Sequence, residues 1–534
     1  MTRQEGNNWA GRRPPAARIL VIALLLAALA GLFAYNVQHW FFLGDDCFIS
    51  FRYAGHLVDG QGLVWNPGER VEGYTNFLWV LIMAAVMALG GAPETASVTL
   101  GIASGVGLLG ALLVFSARQW DWDDPFLWLA PFVLASSRSF AAWCSGGLET
   151  MFFTLLLFLG VAAHLRERER GSALPLASSL LLATAALTRP EGNLFALVVG
   201  LFFAGEILLR RRRFRAGLAW ALPYLAIVAA HLLWRLAYYG EWLPNSFHAK
   251  VPGAWWEQGW RYLSLFADDY RILWFAPLAL LALMAGRRYV HGLFGALIGT
   301  YLLYVLYVGG DRFEFRFLVV VMPWFYWLLA DGLRRIAAFG SGVGRGGFAA
   351  RAVATALALA LLTTTHLGSR STDAASLRHG VASIEIIRDY AKRRAESGKF
   401  LREWIDRGLL PRDVVLCVGG AGALPYYTDW PTVDRRGIND PTVARTPIAG
   451  RGVIGHEREA SYEYLLERRV VILDMFNRIV FDENLLTGRF RIKRYGSTEV
   501  PLKGFRLGER YLIFGTLVSE AEIRRLFGHL EPAR

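Results

Sequence analysis

The sequence predicts a polytopic α-helical membrane protein with a C-terminal soluble α/β domain, and three observations predict it. Apolar residues make up 54% of the 534 and charged residues only 19%, a balance suited to a chain whose helices face lipid. The apolar residues come in runs separated by short loops in which arginines cluster, as expected where positive flanks hold membrane orientation. After His366 the composition changes. A helical pattern over Ala382 to Arg394 then alternates with short apolar runs, VVLCVGG at Val414 and VVILDMF at Val470, giving an α/β unit of common domain size. The expected division is therefore residues 1–370 and 371–534. The net charge of +13 does not point to nucleic acid, because the arginines lie between apolar runs instead of forming one stripe.

The N-terminus carries Arg3, Arg12, Arg13 and Arg18 ahead of the first apolar run, Ile19 to Tyr35. That run continues into LGDD without a small-residue cleavage pattern, so it reads as a retained signal anchor whose basic flank stays cytoplasmic. Tyr74 to Gly91 holds an apolar stretch of only about 13 residues, which suits an interfacial helix better than a crossing. The remaining runs are Val98 to Ala117, Phe126 to Ala142, Met151 to His164, Leu174 to Leu187, Leu194 to Leu209, Leu218 to Tyr239, Ile272 to Ala285, Leu293 to Val308, Phe317 to Leu333 and Ala352 to His366. With about 11 spans counted this way, every strongly basic loop falls inside: Arg118, Arg166 to Arg170, Arg210 to Arg215, Arg287 with Arg288, and Arg334 with Arg335 and Arg345. The N-terminus is then cytoplasmic and the C-terminal domain extracytoplasmic.

That parity collects the polar segments on the outer side. They are FLGDD with Asp45 and Asp46, SGGLET with Glu149, LTRPEG with Arg189 and Glu191, NSFHAK with Asn245, His248 and Lys250, and GGDRFEFRF with Asp311, Arg312, Glu314 and Arg316. Adjacent carboxylates at a membrane edge are costly to desolvate and usually mark a site. Some of these groups also have plain structural readings. Arg189 and Glu191 suit a pair across a proline turn, Glu149 suits a helix N-terminus, and Arg312 and Arg316 suit a local cluster with Asp311 and Glu314. The glycines of VGGAGALPYYTD lack both the dinucleotide spacing and a Walker lysine, so a tight strand-to-helix turn is expected there. The three cysteines, Cys47, Cys144 and Cys417, leave a Cys47–Cys144 bridge open in an oxidising compartment, but their odd count favours free thiols.

Group transfer outside the cytoplasmic membrane, where nucleotide sugars and ATP are absent, requires a donor delivered in the lipid phase. A polyprenyl phosphosugar fits, with an anionic phosphate at the interface and a tail among the spans. One carboxylate then accepts the proton of an attacking hydroxyl, and arginine or lysine neutralises the departing phosphate. The side chains of neighbouring residues diverge, so Asp45 and Asp46 are expected to do different jobs. Asp45 is read as the base and Asp46 as a partner for acceptor, cation or backbone, with the order open to reversal. Paired carboxylates can also hold a hard divalent cation, so a metal at Asp45 and Asp46 stays open.

The run LGDDCFISFRYAGHLVDGQGLVWNPGERVEGYTNFLW, followed by SGGLET, LTRPEG, GEWLPNSFHAK, GGDRFEFRFL, GINDPTVAR and GHEREASYEYL, resembles the mycobacterial terminal β-(1→2)-arabinofuranosyltransferase family within the C-type superfamily of membrane glycosyltransferases. The resemblance implies the C-type fold, interfacial helices in the first outer loop, and an essential aspartate at Asp45 or Asp46. It further implies a decaprenylphosphoryl-arabinofuranose donor and a cell-envelope glycan acceptor at the outer face of the cytoplasmic membrane. Donor phosphate or sugar is expected at Arg189, Lys250, His248, Arg316, Glu149, Arg52 and Tyr74. Acceptor is expected at Asn439, Asp440, His456 and Glu457. Three other readings stay open: another polyprenyl phosphosugar, a flippase, and a non-catalytic envelope or flagellar assembly factor of the same fold.

Overall fold

The computed structural model describes residues 16–250, 253–286, 289–340, 345–368, 380–448, 450–482 and 492–533. The expected domain boundary at 370/371 and the pair Arg287 and Arg288 lie outside the described residues. The first part of the chain is helical: α1 (Ala16–His39), α2 (Cys47–Val58), α3 (Phe77–Ala88), α4 (Pro93–Gln119), α5 (Leu129–Ser136) and α6 (Arg138–Ser145). It continues through α7 (Thr150–Glu169), α8 (Leu176–Thr188), α9 (Gly192–Leu208), α10 (Phe214–Tyr239), α11 (Asn245–Lys250) and α12 (Trp256–Asp269). The series closes with α13 (Ile272–Ala285), α14 (Tyr289–Val308), α15 (Arg316–Val319), α16 (Met322–Gly340) and α17 (Arg345–Leu367).

Among the described residues, six helices are long and apolar enough to cross a membrane: those at Arg18–His39, Pro93–Gln119, Thr150–Glu169, Phe214–Tyr239, Tyr289–Val308 and Ala349–Leu367. The chain is a multi-pass membrane protein. The structure does not carry the count of eleven, because the remaining apolar runs form shorter helices or broken ones. Phe126 to Ala142 is not one span. Ser137 takes an extended backbone and its hydroxyl accepts from Phe140 N, capping α6, which starts a new helix direction. Phe317 to Leu333 is likewise split between α15 and α16.

Side-chain contacts define the two ends of the bundle. At one end Arg18 pairs with Asp123, Arg334 with Asp124, Arg335 and His291 with Asp331, and Arg168 with Glu206. These residues come from the start of α1 and α14 and the ends of α4, α7, α9 and α16. The described basic residues Arg18, Arg168, Arg334 and Arg335 thus share one end. The other end carries Asp45, Glu149, Arg189 and Asp311, and there the C-terminal domain sits.

That domain opens with α18 (Ile384–Asp406), capped by the Ser383 hydroxyl. Its sheet comprises β1 (Leu416–Val418), β2 (Thr432–Asp434), β3 (Ile472–Leu473), β4 (Val480–Asp482), β5 (Ile492–Tyr495), β6 (Thr498–Leu507) and β7 (Arg510–Gly515), in the order β2-β1-β3-β7-β6-β5 with β4 on β7. The strands β1, β2 and β3 pair in parallel and are fully buried, which is why β1 and β3 lie in unbroken apolar runs, whereas β2 carries the buried polar Thr432 and Asp434. Short helices α19 (Ala423–Thr428), α20 (Pro441–Ala444), α21 (Tyr462–Glu467) and α22 (Glu520–Phe527) complete it.

Polar contacts join the two parts. The buried Arg52 guanidinium donates to the carbonyls of Trp65 (2.8 Å) and Trp430 (3.0 Å) and of Pro425. Asn66 accepts from Thr432 N at 2.9 Å, and the Asn245 amide donates to Gly437 O at 2.8 Å.

Candidate active site

The loop between α1 and α2 places Asp45 and Asp46 under the C-terminal domain. Asp45 is 4% exposed. Its Oδ1 accepts from Ala423 N at 2.9 Å, while Oδ2 is buried with no hydrogen-bond partner. Burial raises the Asp45 carboxyl above the ordinary aspartate range, with Asp46 adding to the effect while Arg394, the Ala423 N–H and Arg312 oppose it. Asp46 turns elsewhere, with Oδ1 3.5 Å from Arg312 Nη2. The two carboxylates do diverge, as adjacency requires.

The glycines of the β1–α19 turn bring the C-terminal domain against Asp45. A Cβ on Gly422 would overlap the Asp45 main chain and carboxylate, and one on Gly420 would overlap the Tyr390 hydroxyl and come within 3.3 Å of Asp45 Oδ2. Close approach of backbone to a carboxylate is the physical reason for glycine here. Arg394 holds the turn from behind, donating to Gly420 O at 2.9 Å and pairing with Asp474.

Cations complete the surroundings. Arg312 donates to His456 Nε2 at 2.6 Å, and burial beside Arg312 pushes His456 down to about 2, so its ring stays neutral and accepts. Lys250 has no hydrogen-bond or ion-pair partner among the described residues. Burial and the neighbouring Arg316 and Arg312 lower its ammonium from the ordinary lysine range against the pull of Asp46 and Asp311. Arg316 donates to Asp311 at 2.7 Å and lies over the rings of Phe313, Phe317 and Trp143. The expected local cluster is thus only half local, since Arg312 reaches Asp46 and Glu314 pairs with Arg138 at 2.5 Å.

Other expected residues are placed apart from Asp45. Arg189 is buried between Glu149 (2.5 Å) and Glu191 (2.6 Å). Glu149 does not cap α7 with its side chain; it also accepts from Asn76 at 2.7 Å. Arg52, expected at the donor, is instead occupied by carbonyls at the junction of the two parts, because three acceptors from the C-terminal domain and the first loop converge on it. The Tyr74 hydroxyl is taken by Tyr239 at 3.0 Å.

Of the residues expected at the acceptor, only His456 contacts the Asp46 partner. Asn439 donates to Asp434 and accepts from the Tyr53 hydroxyl of α2 at 3.3 Å, so it joins the two parts of the chain, while Asp440 caps α20 and accepts from Tyr464 at 2.8 Å. Glu457 lies 3.8 Å from Arg451; His248, expected at the donor, has its Nε2 buried without a partner among the described residues. Among the described residues no three His, Cys, Asp or Glu side chains gather into a metal-binding group. Tyr390, Arg394, Gly420, Gly422 and Ala423 were not anticipated. The glycine spacing of VGGAG was the available signal, but nothing local ties it to a residue nearly four hundred positions earlier.

The comparisons with known proteins bear on this arrangement. A family model described as a domain of unknown function, DUF8728, matches residues 385–512. A terminal β-(1→2)-arabinofuranosyltransferase of Mycobacterium tuberculosis is 29% identical over 284 residues, 50% of this chain and 44% of that protein. Its namesake in Corynebacterium glutamicum is 28% identical over 347 residues, 56% of this chain and 49% of that protein. The chain thus spans about half the length of the curated relatives it matches. The crystal structure of ArnT from Cupriavidus metallidurans bound to undecaprenyl phosphate superposes with a TM-score of 0.56 at 14% identity, covering 93% of this chain and 98% of that one. The chain has the C-type membrane glycosyltransferase fold and resembles the terminal β-(1→2)-arabinofuranosyltransferases in sequence.

Proposed function

We propose that this protein is a glycosyltransferase that moves a sugar, arabinofuranose, from a polyprenyl-phosphate donor to a cell-envelope glycan at the outer face of the cytoplasmic membrane. The observation that carries this reading is the free Oδ2 of Asp45, buried near Arg394, Asp46 and Arg312, with Lys250 on the Asp46 side of the pair. A carboxylate raised by burial is a better proton acceptor than an ordinary aspartate. The acceptor oxygen attacks the anomeric carbon, its proton passes to Asp45, and the bond from that carbon to the phosphate oxygen breaks. Lys250 supplies positive charge to the departing lipid phosphate, and Arg316 shares that role. Asp46 holds Arg312 and, through it, His456 in place. The similarity to arabinofuranosyltransferases and the undecaprenyl phosphate bound by ArnT support the donor class.

The test is transfer by purified, lipid-reconstituted protein from labelled polyprenylphosphoryl-arabinofuranose to a short arabinan, comparing wild type with Asp45→Asn and Asp46→Asn. Loss in either variant with folding and donor binding retained supports the reading. Unchanged transfer in both removes the aspartates from the chemistry. Inactive wild type that turns over a different polyprenyl phosphosugar would reassign the sugar.

A further inference from the structure

The C-terminal domain carries a largely buried guanidinium that makes no hydrogen bond among the described residues. Arg435 follows β2 directly, and its main chain is fixed on both sides: its N–H donates to Val418 O at 2.9 Å and its carbonyl accepts from Ala460 N at 3.0 Å. The side chain is only 12% exposed, and its Nε is buried without a hydrogen-bond partner. Glu459 lies 3.6 Å from Arg435 and also 3.6 Å from Arg436, and this carboxylate is half-exposed. One carboxylate thus faces two guanidiniums, and neither approach is a hydrogen bond. Buried polar groups are normally hydrogen-bonded, and a guanidinium fork left open suits an oxyanion.

A second free polar tip meets it over the backbone of Gly419. A Cβ there would lie 2.9 Å from Arg435 Nη2 and 3.3 Å from Asn477 Oδ1. Asn477 is exposed, and its amide has no hydrogen-bond partner among the described residues. Arg435 offers donors only, whereas the amide offers both donor and acceptor, the combination that sugar hydroxyls require.

The pair adjoins the Asp45 and Asp46 site along two routes. Arg436 donates to His456 O at 3.3 Å, and His456 in turn accepts from Arg312, the partner of Asp46, so positive charge is continuous between them. Gly419 also precedes Gly420, where a Cβ would come within 3.3 Å of Asp45 Oδ2. Adjacent Cα atoms lie 3.8 Å apart, which bounds the distance from Arg435 Nη2 to Asp45 Oδ2 at roughly 13 Å, the span of a short oligosaccharide.

We infer that the acceptor is an acidic glycan, with Arg435 binding one of its carboxylate or phosphate groups and Asn477 a neighbouring hydroxyl. The ligand is the acceptor only if the transfer reading holds; an acidic-glycan site stands without it.

The experiment titrates full-length, detergent-purified protein with a galacturonic acid trisaccharide, its uncharged methyl ester, or inorganic phosphate. Affinity is read by calorimetry and folding by melting temperature. Wild type is expected to bind the acid about tenfold more tightly than the ester. Arg435→Gln is expected to lose that preference, and Asn477→Ala to weaken both saccharides about threefold. A preference that disappears in folded Arg435→Gln supports the site. Equal or absent binding of acid and ester by wild type overturns it, as does a preference that survives Arg435→Gln. If Arg435→Gln does not fold, undiminished saccharide affinity in Asn477→Ala overturns the site, and weakened affinity supports it. Phosphate bound as tightly as the acid assigns Arg435 to a free anion and overturns the glycan. Because the readout is binding, an acid preference in a protein that transfers no sugar keeps the site and sinks only the transfer reading.

Discussion

Two charged clusters lie beneath the C-terminal domain, and they differ in how far their polar atoms are partnered. In the first, Arg189 is enclosed by Glu149 and Glu191, with Asn76 and Tyr304 filling carboxylate oxygens. In the second, Asp45 keeps one oxygen free, Lys250 has no partner among the described residues, and Arg312 reaches Asp46 only at 3.5 Å. A buried ion set whose carboxylate oxygens are all hydrogen-bonded holds helices α7, α8 and α9 in register. Reaction chemistry needs the other arrangement, because a base or an anion site must have an open position. The same residue types therefore do different work according to their neighbours.

The sharpest test of that contrast is one change, carboxylate to amide, made in each cluster. Asp45→Asn is expected to lower transfer by about 10²–10⁴-fold in the reconstituted assay while leaving the melting temperature unchanged or raised, since the amide oxygen still accepts from Ala423 and no charge is buried. Glu149→Gln is expected to do the reverse in a thermal melt, destabilising the fold by roughly 1.5–3 kcal/mol because Arg189 and Asn76 lose a charged acceptor while Glu191 still pairs with the guanidinium. A stability loss in Asp45→Asn equal to that in Glu149→Gln would erase the distinction. Lys250→Met comes next, with a fall of about 10²-fold in turnover and little change in melting, because no ion pair is broken. Retained turnover would remove Lys250 from phosphate neutralisation.

Gly422→Ala probes the roof of the second cluster. The added methyl meets the Asp45 main chain and carboxylate, so the turn must shift at a cost of roughly 1–3 kcal/mol, read as lower melting and weaker transfer together. The smallest effect is on pH dependence. The ionised form of Asp45 is the base, so transfer falls as pH drops through a value raised above the ordinary 3.8. Arg312→Gln removes one influence that lowers Asp45 and moves that acid limb upward by less than about one unit. A downward shift would contradict the placement.

Particular residues show why some of this was legible beforehand. Asp45 and Asp46 stood out because paired carboxylates at the edge of an apolar run are rare whatever the fold. Arg189 with Glu191 was readable as a pair from the proline turn alone, but Glu149 as the third member was not. Arg52 and Tyr74 lie in the same conspicuous stretch as the aspartates, yet their polar atoms are used by the Pro425 and Trp430 carbonyls and by Tyr239. The break at Ser137 was hidden because hydropathy does not register a hydroxyl cap within an apolar run.

The sequence by itself determined the membrane class, the clustering of arginines in the loops between apolar runs, the α/β character after His366 and the candidacy of the first aspartates, since these follow from composition, periodicity and local charge. Tertiary structure alone decided that the VGGAG turn lies on Asp45, that Lys250 has no partner among the described residues while Arg189 does, and that Arg52 meets carbonyls from both parts of the chain. Each of these is a meeting of segments far apart in the chain. Which donors and carboxylates are satisfied depends on three-dimensional neighbours that no local window contains.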